Sequence, residues 1–374
     1  MANHERLYFF DNLRACVIVL VIVLHGSITY MAYAPTWWYV LDPQNSAFFT
    51  WLVMLIDVPI MPILFFIAGY FALPALQKRG VKRFLQEKFV RLGIPWIFGV
   101  VFLAPLVTYL IYVSRHIPMG YLQFWATDFW GKMYQQSVYW FLGVLLLLFG
   151  VLCVVYNENS WLRTGQPIVG LPAPKMFAAF VGLMTISSLA MTLSYGPDDW
   201  AHIYLFAFQP VRLPLYFGYF FLGIYAQRHS WFTADGYRPE LGPWAAGGLM
   251  SGLGYLALRW TNADTPATQL LLTMGTMGLL NIFCLSALMA SAAFFQQKVN
   301  RSNRFWNSLA GNSYGIYYVH PLILYPLTYL MVSVSLELVF KAGGVMLVAT
   351  ALSWSVSALV LRKTPGLRQI FAGG

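Results

Sequence analysis

Charge is what this sequence has least of. Only 10% of its 374 residues are charged, 23 basic and 13 acidic. A soluble domain carries about 25%, so this chain cannot clothe a water-facing surface. Cysteine is nearly absent as well. Cys16, Cys153 and Cys284 all fall within apolar runs, which excludes a disulfide framework and a cysteine metal site. They read as buried structural thiols. No internal repeat and no low-complexity stretch stands out. Hydrophobicity is abundant: 59% of residues, gathered into runs exceeding the ~18 residues that mark a membrane span. Length alone would allow two or three soluble domains, but the runs override it. The expected fold is all-α, a polytopic transmembrane helical bundle forming one domain over residues 1–374, with no separate soluble domain.

Ten spans are expected, near residues 13–33, 47–76, 92–114, 138–156, 175–195, 211–227, 243–259, 269–295, 313–334 and 342–361. The second carries Pro59 and Pro62 and should kink or break there. Arg6, Arg14, the run Ala15–Leu24 and Ala32-Tyr33-Ala34 have the layout of a signal peptide. With Met1 retained, that run is expected to stay as the first span. Placing the N-terminus in the cytoplasm and alternating leaves five basic residues outside: Arg115, Lys132, Arg212, Arg259 and Lys341. The other eighteen of the 23 fall inside, as the positive-inside rule requires. Losing one span would invert every later loop and spoil the bias, so both ends are expected to be cytoplasmic. The net charge of +10 is thus explained by topology and anionic lipid, not by nucleic acid. Trp37, Trp38, Tyr39, Trp125, Trp130 and Trp200 lie near outer boundaries, as an aromatic belt would. Gly248 and Gly252 form a small-xxx-small packing pair.

Polar groups inside spans are costly enough to be functional hypotheses. Asp11 and Arg14 stand at the cytoplasmic mouth of the first span, and His25 lies deep within it. Eleven residues at ~100° each make roughly three turns, so Arg14 and His25 share a face about 16 Å apart. His25 reads either as a hydrogen-bonded core histidine or as a base able to take a proton from a hydroxyl. Arg14 alone could be a plain positive-inside anchor. A second buried histidine, His320, closes the stretch Ser313-Tyr314-Gly315-Ile316-Tyr317-Tyr318-Val319-His320-Pro321. Pro321 frees the carbonyl of Tyr317 from its helical hydrogen bond, and open backbone at mid-membrane is tolerated where it lines a cavity. Gly311-Asn312-Ser313-Tyr314-Gly315 fits G-x-S-x-G, but a nucleophile elbow needs strand, turn and helix. Ser313 instead reads as the N-cap of a span. The loop Gln77–Arg91 carries six basic residues, among them Lys82, Arg83, Lys88 and Arg91. Topology and lipid headgroups account for it, as does a phosphate site. Asp198-Asp199-Trp200-Ala201-His202 lacks the fourth ligand a metal would want, so no metal is expected. Asp57 is the one lone mid-span acid costly enough to suspect a role.

These pieces occur in a recognisable order. Phe10-Asp11-Asn12-Leu13-Arg14 followed by His25, then Phe65-Phe66-Ile67-Ala68-Gly69-Tyr70-Phe71, then Lys88-Phe89-Val90-Arg91 before Leu92-Gly93-Ile94-Pro95, then Tyr139-Trp140-Phe141-Leu142, then Ser313 to His320, resemble the motifs of the family-three membrane acyltransferases. Each is weak alone, whereas five in order across nearly the whole chain are specific. The wording is nearest to the branch that succinylates periplasmic glucans, and the chain resembles the stand-alone form of the family. Two departures stand out. Lys88 replaces the first arginine of R-x-x-R, giving a point charge where the family has a fork. Val138-Tyr139 replaces the histidine and leucine before Trp140.

The resemblance implies transfer of an acyl group, acetyl or succinyl, from cytoplasmic acyl-CoA to a hydroxyl of a glycan or related envelope or secreted acceptor. It implies a bacterial cytoplasmic (inner) membrane, with acyl-CoA as co-substrate and no permanently bound cofactor. His25 would be general base or transient acyl carrier, with Asp11 and Arg14 placing the thioester or organising the entrance. Lys88, Arg91, Arg83 and Lys82 would hold coenzyme A phosphates. His320, Tyr314, Tyr317, Trp140 and Asp57 would line the pocket. Partners would be acyl-CoA, the acceptor and membrane lipid. A proton-coupled transporter is the main rival, opposed by the missing repeat and the scarcity of mid-span acids. A non-catalytic partner in glycan export is a third reading.

Overall fold

The computed structural model describes residues 7–164, 168, 170–196 and 199–371. Most of it is helix. The first helices are α1 (Tyr8–Ile28), α2 (Ala47–Arg79), α3 (Val81–Ser114), the short α4 (Tyr121–Ala126), α5 (Ser137–Glu158) and the short α6 (Ser160–Thr164). They are followed by α7 (Pro174–Ser194), α8 (Leu213–Arg228), α9 (Leu241–Arg259), α10 (Pro266–Lys298), α11 (Arg304–Met331), α12 (Leu338–Leu361) and α13 (Leu367–Phe371). Among the described residues the only sheet is a hairpin, β1 (Ala201–Ile203) against β2 (Phe206–Phe208), with Ala201 opposite Phe208.

Each of the ten expected spans falls on one helix. Seven of the helices are long and apolar enough on their own to cross a membrane. The remaining three differ for identifiable reasons. Helix α8 has 16 residues, short of the ~20 a bilayer core needs. Helix α9 is diluted by glycine and α11 by asparagine, serine, tyrosine and histidine.

Three local expectations are corrected. Helix α2 does not break at its prolines: it runs as one helix through Pro59, Pro62 and Pro74. The stretch 77–91 is not a loop: α2 continues to Arg79, Gly80 makes the turn at φ 74°, and α3 starts at Val81. Only a residue tolerant of positive φ permits so tight a reversal. Ser313 is not an N-cap. Helix α11 begins nine residues earlier, at Arg304, and the Ser313 hydroxyl donates to the Ala310 carbonyl at 2.9 Å.

Prolines inside helices leave carbonyls open, and side chains take them up. Pro95 brings no N–H to the Arg91 carbonyl, to which the Tyr314 hydroxyl donates at 2.6 Å. Pro105 leaves Val101 to the Trp125 indole at 3.1 Å. Pro62 leaves Val58 to the Cys284 thiol at 3.7 Å. In α3 the residues ahead of both prolines widen into π turns, Phe89–Gly93 and Gly99–Leu103.

The chain divides into two compact units. The first comprises Met1–Arg14, Asp57–Leu85 and Leu148–Asn303. Its core is a close crossing of α2 and α8: a Cβ on Gly69 would overlap the Phe220 carbonyl, and one on Gly223 would overlap the Phe66 carbonyl. Phe10, Tyr70 and Phe232 cluster beside it, and the Tyr70 hydroxyl donates to the Trp231 carbonyl at 2.8 Å. Helices α9 and α10 pack where Gly248 lies over Ser286, the role the small-xxx-small spacing suggested.

The second unit comprises Ala15–Ile56, Gln86–Leu147 and Arg304–Gly374. Here α11 lies against α12, with Gly315 pressed on Ser357 and the Ser357 hydroxyl bonded to Asn312 Oδ1 at 3.0 Å. Gly26 brings α1 up to Met346 of α12. The connection between α1 and α2 is folded into this unit. Asp42 and Lys341, both fully buried, form an ion pair at 2.6 Å.

A histidine pair as candidate active site

In the second unit His25 of α1 meets His320 of α11. The Nδ1 of His25 lies 3.0 Å from Nε2 of His320, and the rings stack with centroids 5.3 Å apart and planes 10° from parallel. His320 is wholly buried, whereas His25 keeps partial exposure. His320 Nδ1 stands 2.7 Å from the Tyr317 carbonyl. That carbonyl is free because residue 321, four positions on, is proline.

The hydrogen bonds then assign the protons. A carbonyl only accepts, so His320 Nδ1 donates to Tyr317. A neutral imidazole has one N–H, so His320 Nε2 carries the lone pair and accepts from His25 Nδ1. The second nitrogen of His25, Nε2, is left with a lone pair and makes no hydrogen bond among the described residues. The chain carbonyl, imidazole, imidazole ends in a base whose tautomer is set by its neighbours. When Nε2 takes a proton, the bond from Nδ1 becomes charge-assisted and stronger.

Aromatic rings surround the pair. Trp38 lies 5.9 Å and Tyr325 6.4 Å from His25, centroid to centroid, and Tyr317 lies 6.0 Å from His320. Tyr39 packs against Tyr325, with centroids 4.3 Å apart and planes tilted by 37°. Burial pushes the Tyr39 hydroxyl up to about 12, so it remains a phenol at neutral pH.

Other expected site residues distribute differently. Asp11 and Arg14 form an ion pair at 3.1 Å, half open to solvent, in the first unit. They share the continuous helix α1 with His25. Lys88 is half-buried and Arg91 exposed within the second unit, while Lys82 and Arg83 are exposed and belong to the first. The Tyr317 hydroxyl donates to the Val138 carbonyl, and the Tyr139 hydroxyl donates to the Tyr318 carbonyl at 3.1 Å. With Tyr314 on the Arg91 carbonyl, these phenols hold helices together. Of the Val138-Tyr139 departure, Tyr139 clamps onto α11 through its side chain, whereas Val138 offers only a carbonyl that any residue would bring. Trp140 lies in the first turn of α5 beside Phe141, which packs on Tyr317. Asp57 lies in the first unit, ion-paired with Arg212 at the start of α8. Asp198 lies outside the described residues, and among those described no group of three metal-ligating side chains occurs.

Sequence reasoning placed Trp38 in an interfacial belt. It is 4% exposed and packed on His25. Nothing in the local sequence signals that, since Trp37-Trp38-Tyr39 after an apolar run is the ordinary pattern of a belt.

The family described as an acyltransferase domain matches residues 7–358. Glucans biosynthesis protein C of Escherichia coli (strain K12) is 26% identical over 156 residues, which is 40% of this chain and 38% of that protein. The proteins of the same name from Escherichia coli O139:H28 and O6:K15:H31 match to the same extent. The alignment thus spans well under half the length of these curated relatives. No solved structure matches. Matched along nearly all of its length, this multi-pass membrane protein belongs to the acyltransferase 3 family.

Proposed function

We propose that the protein moves an acyl group, acetyl or succinyl, from acyl-CoA on the cytoplasmic side of a bacterial inner membrane to a hydroxyl of a glycan or related envelope or secreted acceptor. The observation that carries the reading is the lone pair on His25 Nε2, held at the end of the His320–Tyr317 chain. In the step proposed, the acceptor hydroxyl attacks the thioester carbonyl while Nε2 takes its proton. A C–O bond forms, the C–S bond breaks, and the departing coenzyme A thiolate takes the proton back from the imidazolium. Both histidines end as they began.

Two further points support the donor and acceptor classes. Lys88 and Arg91 in the second unit, with Lys82 and Arg83 preceding them on α3, supply positive charge suited to coenzyme A phosphates, on the side where 18 of 23 basic residues are expected. The named relatives take part in glucan biosynthesis, which favours a glucan-like acceptor. Asp11 and Arg14, earlier on α1, suit the entry of the donor.

The test is acyl transfer by purified protein in lipid nanodiscs. Labelled acetyl-CoA and succinyl-CoA are supplied with a linear glucan, and free thiol and acylated product are both counted. His25→Gln should fold normally and lose about 10²–10⁴-fold in turnover, the range a general base contributes. Acid-quenched wild-type protein should carry no acyl group on His25. Full activity in the variant would remove His25 from the chemistry, and an acylated His25 would make it a carrier.

A further inference from the structure

We propose that Trp38, through its indole N–H, is the donor that receives the carbonyl oxygen of the acyl group as it becomes an oxyanion beside His25. The inference rests on the reading of His25 as base.

Three observations carry it. Trp38 Nε1 is buried and makes no hydrogen bond among the described residues. A buried donor without a partner is costly, and such groups call for an explanation. An indole N–H can only donate, so its missing partner is an acceptor, as a developing oxyanion would be. Second, the ring is 5.9 Å from the His25 ring, close enough for one reacting centre to touch both. Third, the backbone that holds it is fixed from several directions. The Arg115 guanidinium donates to the carbonyls of Thr36 and Trp38, the latter at 3.1 Å. The Ser114 hydroxyl donates to the Tyr39 carbonyl at 3.0 Å. Asp42 of the same connection is pinned by Lys341, fully buried, at 2.6 Å. A donor fixed before the reaction costs no reorganisation when charge develops, which is what makes such groups effective.

In the step, the acceptor oxygen forms its bond to the thioester carbon and the carbonyl π pair moves onto oxygen, where Trp38 N–H stabilises it. The hydroxyl proton goes to His25 Nε2. Collapse of the oxyanion restores the carbonyl and expels the thiolate, which takes the proton from His25. Asp42 and Lys341 are positioning residues, acting through the connection that carries Trp38.

The experiment compares wild type, Trp38→Phe and a protein carrying benzothienylalanine at position 38, which keeps the indole shape and replaces N–H by sulfur. Folding is checked by monodispersity and Tm. Loss of an oxyanion donor should lower kcat by about 10²-fold in both variants with KM nearly unchanged. Unchanged kcat and KM with the isosteric analogue would overturn the proposal and leave the N–H pointing at the Tyr325 ring, which Trp38 meets at 89° and 5.5 Å. A rise in KM alone would overturn it too, making Trp38 a ground-state contact. His25→Gln run alongside separates the readings. If that variant is inactive while the analogue is fully active, only Trp38 is lost; if it is active, the base falls and Trp38 with it.

Discussion

Two stretches of equal weight in the sequence, Phe65–Phe71 and Ser313–His320, have come to different uses. In the first, each distinctive group is consumed by packing. Phe65 and Phe66 are fully buried, Gly69 lets α2 reach the Phe220 carbonyl, and the Tyr70 hydroxyl ends on the Trp231 carbonyl at 2.8 Å. The second spends Gly315, Tyr317 and Tyr318 in the same way. It also carries His320, whose two nitrogens pass a preference from the Tyr317 carbonyl to His25. The difference lies in what is left over. A tyrosine that donates to a carbonyl closes its account, whereas the histidine chain ends on a nitrogen with a lone pair to use. Strength of motif does not distinguish the two cases; the fate of the last polar atom does.

The comparison breaks most visibly at Gly69. In Gly69→Ala the new methyl would overlap the Phe220 carbonyl oxygen and crowd its carbon. That is backbone against backbone, and no rotamer relieves it. The cost should reach or exceed the upper end of the ~1–3 kcal/mol typical of overpacking. Little monodisperse protein should survive detergent extraction. Wild-type yield and Tm would mean that the first stretch is not a packing device. Gly315→Ala should cost less, about 1–3 kcal/mol. Its methyl meets the Ser357 side chain: the hydroxyl can turn away at the expense of its bond to Asn312, while the Cβ, 2.8 Å off, requires a small shift of α12 against α11. Ser357→Gly should recover part of the loss, and a double-mutant cycle read from Tm would show the coupling. Strict additivity would mean the two do not touch.

Much of the framework was legible because membrane helices announce themselves through apolar runs, and each of the ten expected spans falls on one helix, although α3 and α11 start eleven and nine residues before the expected positions. The open Tyr317 carbonyl was legible too, since proline at i+4 removes a donor whatever the tertiary fold. Pairing was not. His25 and His320 are 295 positions apart, and periodicity on α1 says which face His25 occupies without saying who faces it. Trp38 read as belt because a tryptophan near a span end has the same local signature at an interface and in a core. Ser313 read as a cap because hydropathy places a helix start where a sustained apolar run begins, and α11 begins earlier on a mixed stretch, Arg304 to Asn312. Asp57 read as costly because it stands in an apolar run, but it is ion-paired with Arg212, 155 residues away and itself expected on the outer side.

The smallest effect gives the sharpest test of the contrast. Tyr70→Phe removes one hydroxyl and nothing else, and the ring stays in its cluster with Phe10 and Phe232. The Trp231 carbonyl loses that donor in a buried place, which should lower stability by about 1–2 kcal/mol. If the first stretch only packs, acyl transfer per folded molecule should match wild type, with kcat and KM both unchanged. His320→Leu makes the opposite case. It leaves His25 Nδ1 without its acceptor, so the tautomer at Nε2 is no longer imposed. Tyr70→Phe removes one hydrogen bond and His320→Leu removes two, in motifs of similar prominence, and only the second variant lies on the chain that ends at the base. A fall in kcat for Tyr70→Phe at full folding would erase the distinction between them.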